Sequence, residues 1–185
     1  MKMLGMAVVL SLFSCSTRQF SKSDYTFYDK NFVLQPKANL RTDGVYKLHT
    51  IATDEDGSTV KQAGITKFYK FFKTGQCIMI LDPDNNITAA KALEELKKAA
   101  ENKNKPTLFE SYYRLKDDKI IIQGIVYPVK HFVYKYGYVA NNEFTIVKAT
   151  SEGRGKFDEA FFTDYYQERY IFIPIDNADA CMPYW

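Results

Sequence analysis

LFESYYRLKDDKIIIQGIVYPVKHFVYKYGYVANNEFTIVKATSEG, residues 108–153, decides the fold. Within it ESYYRL and KIIIQGIV flank Asp117-Asp118, and VKHFVYKYGYVA and EFTIVKA flank Asn141-Asn142. Runs rich in β-branched and aromatic residues, broken by pairs of Asp or Asn that tolerate tight turns, predict sequential antiparallel hairpins. A parallel sheet would need a long crossover between each pair of strands, and the chain offers a single helical interruption.

Working outward, VYKLHTI at residues 45–51 predicts a first strand, followed by the polar turn ATDEDGST. QAGITKFYKFFKTG and QCIMILD predict a second and a third strand, joined near Thr74-Gly75. After them Thr88 is placed to cap a helix over 89–101, with Ala89, Ala92, Leu93, Leu96 and Ala99 or Ala100 on one side. Glu94, Glu95, Lys97, Lys98 and Glu101 fall on the other side. Near the end FDEAFFTDYYQERY reads as a short helix or an extended piece, and YIFIPID as a strand stopped by Pro174. The expectation is a mostly β domain: an antiparallel barrel of approximately eight strands with one inserted helix.

The leader MKMLGMAVVLSLFSCS has a basic Lys2 and an uncharged run from Met3 to Phe13, too short to span a bilayer as one helix. It predicts a signal segment; an N-terminal structural helix is the alternative. Leu12-Phe13-Ser14-Cys15 resembles a bacterial lipobox, with Phe13 where a smaller residue is usual. That resemblance implies removal of residues 1–14, acylation (a palmitate-type anchor) of Cys15, and attachment to a bacterial membrane; an ordinary secretory signal is the other outcome. Ser16 is similar to the residue that follows the cysteine of outer-membrane lipoproteins, on either face of that membrane. Residues 15–39 read as a tether or arm, and residues 40–185 as one barrel domain with a C-terminal tail.

Composition narrows the function. The chain has 46% hydrophobic and 16% aromatic residues and a formal charge of +3, with no dense Lys/Arg tract. A packed aromatic scaffold follows, and a nucleic-acid partner is not expected. Gly44-Val45-Tyr46 is similar to the Gly-x-Trp motif of the first lipocalin strand, and Thr163-Asp164-Tyr165 resembles a second short motif of that family. The lipocalin-like or calycin-like resemblance covers roughly residues 40–175 and implies a barrel able to enclose a small hydrophobic molecule. Phe132, Tyr134, Tyr136 and Tyr138 share one parity of a strand. With Tyr46, the residues Phe132, Tyr134 and Tyr136 are the candidate ligand-binding set, although the same rings can equally fill a solid core.

Catalytic and metal readings find less. His49 and His131 are the two histidines and form no zinc-ligand spacing. Asp54 to Asp56 and Asp82 to Asn86 lack a full calcium loop, SEGRGK is a turn and not a phosphate cradle, and no cofactor is implied. Cys77 and Cys181 allow a disulfide in an exported protein, or two independent buried thiols. The expected function is therefore a membrane-anchored, noncatalytic binding protein for a small hydrophobic ligand. A filled interaction module for an envelope protein and an envelope enzyme are the alternatives.

Overall fold

In the computed structural model, the described residues form nine strands, which follow the chain as β1 (Gly44–Ala52), β2 (Thr59–Val60), β3 (Thr66–Phe71), β4 (Gln76–Asp82), β5 (Glu110–Lys116), β6 (Lys119–Val126), β7 (His131–Ala140), β8 (Glu143–Thr150) and β9 (Gln167–Pro174). Among the described residues one α-helix, α1 (Ala89–Glu101), lies between β4 and β5. The structure describes residues 21–52, 59–60, 65–101, 110–126, 131–140, 142–163 and 167–185. The signal segment and Cys15, the acidic run Asp54 to Asp56, and the Asp164-Tyr165 part of the second short motif lie outside the described residues.

Every pairing is antiparallel, and β9 returns to pair with β1 from Gly44↔Pro174 to Ala52↔Gln167. Eight strands thus close a barrel, while the two-residue β2 pairs only with the far end of β1. Closure satisfies the edges that an open sheet would leave unpaired. The arrangement is consistent with a lipocalin-like or calycin-like fold. The hairpin at Asp117-Asp118 forms as expected, with Asp117 at φ 56°, a conformation Asp tolerates better than most residues. Two details differ from the sequence reading. β2 falls where a turn was expected, and FDEAFFTDYYQERY divides into a 3-10 turn at Glu159–Phe161 and the start of β9.

The barrel wall is apolar on both sides. Inside, Tyr46, Leu48, Tyr69, Phe71, Cys77, Met79, Tyr113, Ile120, Ile122, Val139, Phe144, Ile146, Tyr170 and Phe172 form one cluster. Outside, Val45, Phe68, Ile78, Tyr112, Ile121, Tyr134 and Tyr136 belong to a second cluster, which α1, the arm and the C-terminal tail cover. Thr88 caps α1, its hydroxyl accepting from the Lys91 amide at 3.2 Å, and Ala92, Leu93, Leu96 and Ala100 are buried. On the arm, Phe27 is buried against Tyr134, and its amide donates to Gln123 Oε1 at 2.9 Å. The tail ends in Trp185, edge-on to Phe72, with its carbonyl accepting from Gln76 Nε2 at 2.8 Å. Among the described residues, no helix is long and apolar enough to cross a membrane.

Candidate functional site

The two ends of the barrel interior are built differently. At the end holding the β3–β4 and β5–β6 turns, Tyr46 meets Phe71, Phe144 and Phe172 edge to face, with ring centres 5.0–5.6 Å apart. Phe71 also packs edge-on against Tyr113 at 5.3 Å. The segment from Phe32 to Arg41 crosses this end: Phe32 packs on Tyr113, and the Arg41 amide donates to Tyr46 Oη at 2.8 Å. Burial pushes the Tyr46 phenol up to about 12, despite that hydrogen bond. This end is filled and sealed.

Toward the other end the interior becomes polar. Lys67 of β3 pairs with Glu168 of β9, and Tyr170 donates its hydroxyl to the same carboxylate. Lys135 of β7 donates to Tyr69 Oη of β3 at 2.6 Å. Whichever way round the wall one counts, three strands separate β3 from β7, so this bond crosses the lumen. Beside it is a cavity of about 150 Å³ lined by Tyr69, Met79, Ile122, Val126, Val133 and Lys135, with Ser111, Gly124 and Ile125 completing the wall. Burial lowers the Lys135 pKa, against the opposing pull of Glu168 and Cys77, and raises that of Tyr69.

The structure separates the four aromatic residues singled out by sequence. Tyr46 points into the sealed end of the lumen. Phe132, Tyr134 and Tyr136 do share one face, but it is the outer one: Phe132 packs on Tyr25, Tyr134 on Phe27, and Tyr136 on Phe161 and Phe162. The opposite parity, Val133 and Lys135, enters the cavity. Gly137 sits at the β-bulge between β7 and β8, where Tyr136 faces Lys148 and Gly137 faces Ile146, and a Cβ there would lie 1.9 Å from the Thr145 carbonyl oxygen.

Cys77 and Cys181 do not form a disulfide; both are free and buried. Cys77 faces the lumen, whereas Cys181 sits in the outer layer, so the wall lies between them. Burial raises both thiols, Cys181 to about 11, which leaves little nucleophilic thiolate. Asp82, the last residue of β4, is buried, and its carboxylate accepts from the Ile87 amide at 2.9 Å. Among the described residues, no group of three or more His, Cys, Asp or Glu side chains is placed to hold a metal. A larger concavity, about 420 Å³, runs along the outer surface of β1 and β9 past Lys47, His49, Ile171 and Ile173.

Sequence reasoning passed over Lys67, Lys135 and Glu168. The signal available was Lys135 itself, a charged residue midway between Tyr134 and Tyr136 in a strand of hydrophobic alternation. No protein-family model, curated protein or solved structure matches this chain.

Proposed function

We propose that this chain is a noncatalytic binding barrel that carries a small hydrophobic molecule at the polar end of its lumen, tethered to a bacterial outer membrane through a lipid on Cys15. The observation that carries the reading is the interior cavity of about 150 Å³, with Met79, Ile122, Val126 and Val133 as apolar wall and a few converging polar groups. Val126 is 38% exposed, which gives the cavity a solvent side. A volume below the usual range of ligand pockets, about 300–1,000 Å³, suits a small molecule or one end of a longer one. Tyr46 supports the lumen from its sealed end, and Phe132, Tyr134 and Tyr136 support the wall from outside.

Native mass spectrometry of gently purified full-length protein tests the carriage. A reproducibly retained small molecule, lost in Val133→Phe with its thermal unfolding unchanged, is the expected result. No retained mass, and no binding across a panel of lipids and small apolar metabolites, overturns it. The tether is tested separately: the mature protein should begin at an acylated Cys15 in the membrane fraction, and a mature chain that keeps Met1 refutes that part.

A second reading has its own support. The ring-filled lumen end and the outer groove past Ile171 and Ile173 suit a module that works through its exterior with an envelope protein. Failure of ligand binding with the barrel intact would favour it.

A further inference from the structure

We infer that the molecule held in the lumen carries a single carboxylate, received by the Lys135 ammonium and the Tyr69 hydroxyl. This rests on the carrier reading above and names the chemistry of its ligand.

The argument begins with charge. Among the described residues, the lumen cluster holds two ammonium groups, Lys67 and Lys135, and one carboxylate, Glu168. Glu168 is 5% exposed and is taken by Lys67 and by the Tyr170 hydroxyl. Lys135 forms no ion pair among the described residues, and its hydrogen bond goes to a neutral phenol. Glu168 acts on both lysines, so among the described residues the cluster carries one positive charge more than it has carboxylates inside an apolar enclosure, an arrangement that costs free energy unless an anion completes it.

Geometry points the same way. An ammonium has three donors, and the bond to Tyr69 uses one. Tyr69 accepts that bond, so its own hydroxyl proton remains available, and both groups line the cavity. Two or three donors converging from opposite walls match the two oxygens of a carboxylate. The single uncompensated charge also selects among anions. A phosphate monoester would need a second free cation, but Lys67 is already engaged, and Glu168 would repel the extra negative charge. The remainder of the wall, Met79, Ile122, Ile125, Val126 and Val133, is apolar and receives a hydrocarbon segment adjoining the headgroup. The ligand class is an aliphatic or aromatic monocarboxylic acid, headgroup inward.

Octanoate and 1-octanol share a chain and differ in the headgroup, so calorimetric titration of each into the full-length protein isolates the charge. Octanoate should bind roughly tenfold or more tightly than the alcohol, the scale of one charge-assisted hydrogen bond. Lys135→Met should remove that preference and bring both to similar affinity, and Tyr69→Phe should remove part of it. If Lys135→Met does not fold, Lys135→Gln serves in its place. Equal binding of acid and alcohol by the wild type, or a preference that survives loss of the lysine charge, overturns the carboxylate inference and leaves the carrier reading standing. Binding of neither probe, with no other apolar ligand bound by the folded barrel, removes both.

Discussion

At the sealed end of the lumen, Tyr46, Phe71, Tyr113, Phe144 and Phe172 meet ring edge to ring face, whereas at the cavity end the same barrel wall carries Lys67, Lys135 and Glu168. β3 contributes to both: Phe71 and Tyr69 to the ring stack, Lys67 two residues earlier to the ion pair. Edge-to-face pairs add about 0.5–1.5 kcal/mol each beyond burial, so the sealed end is where interior packing concentrates stability. The cavity end spends interior surface on charges that an aliphatic filling would spare. A barrel under selection for stability alone has no use for that exchange, and the contrast is what directs attention to binding.

The comparison breaks most visibly if the sealed end is emptied. Phe144 touches Tyr46, Tyr69, Phe71 and Tyr170, and Phe144→Ala should cost about 3–5 kcal/mol, read from the urea midpoint at constant slope. A cost under about 1 kcal/mol would mean that the rings there are not the structural centre. A smaller effect is expected at Tyr113, whose hydroxyl donates to the Phe72 carbonyl at 2.7 Å beneath the arm. Tyr113→Phe should lose about 1 kcal/mol, with near-ultraviolet dichroism unchanged.

The cavity end should respond with the opposite sign. Lys135→Met removes a charge whose burial the native state opposes, and the ligand-free protein should gain roughly 1 kcal/mol or less at neutral pH. The pH dependence sharpens the point. Lys135 has a folded-state pKa below its unfolded value, so its penalty is complete below the folded value and fades as pH rises toward the unfolded one, about 10.4. The advantage of the Met variant should therefore shrink between pH 7 and pH 10. Glu168, Cys77 and Tyr69 face the group, and Lys67 is paired with Glu168, so the comparison is made against wild type at each pH. An advantage that grows with pH would contradict the assignment.

Much of the architecture was legible locally. Thr88 with the spacing of Ala92, Leu93, Leu96 and Ala100 specified α1, and the acidic pair between ESYYRL and KIIIQGIV specified a tight hairpin. β2 escaped because two residues carry no periodicity, and their pairing depends on where β1 happens to end. The cavity cluster escaped because its members are distant in the chain: Lys67 and Glu168 are 101 residues apart. Closure of β9 onto β1 brings them together, and no local pattern encodes that distance.

By itself, the sequence determined which residues share a face. Alternation with a period of two puts Phe132, Tyr134 and Tyr136 on one side of β7 and Val133 and Lys135 on the other, whatever the fold. Only the tertiary structure decided which side is the lumen. The usual inference, that the more apolar side turns inward, assumes that the outer side meets water. Here Tyr25 and Phe27 of the arm, together with Phe161 and Phe162, cover the outside of β7, so burial is available on both faces and hydrophobicity no longer distinguishes them. Space and charge decide instead: the aromatic rings go where the arm covers them, and Lys135 turns inward to a lumen that offers the Tyr69 hydroxyl and a cavity at its side.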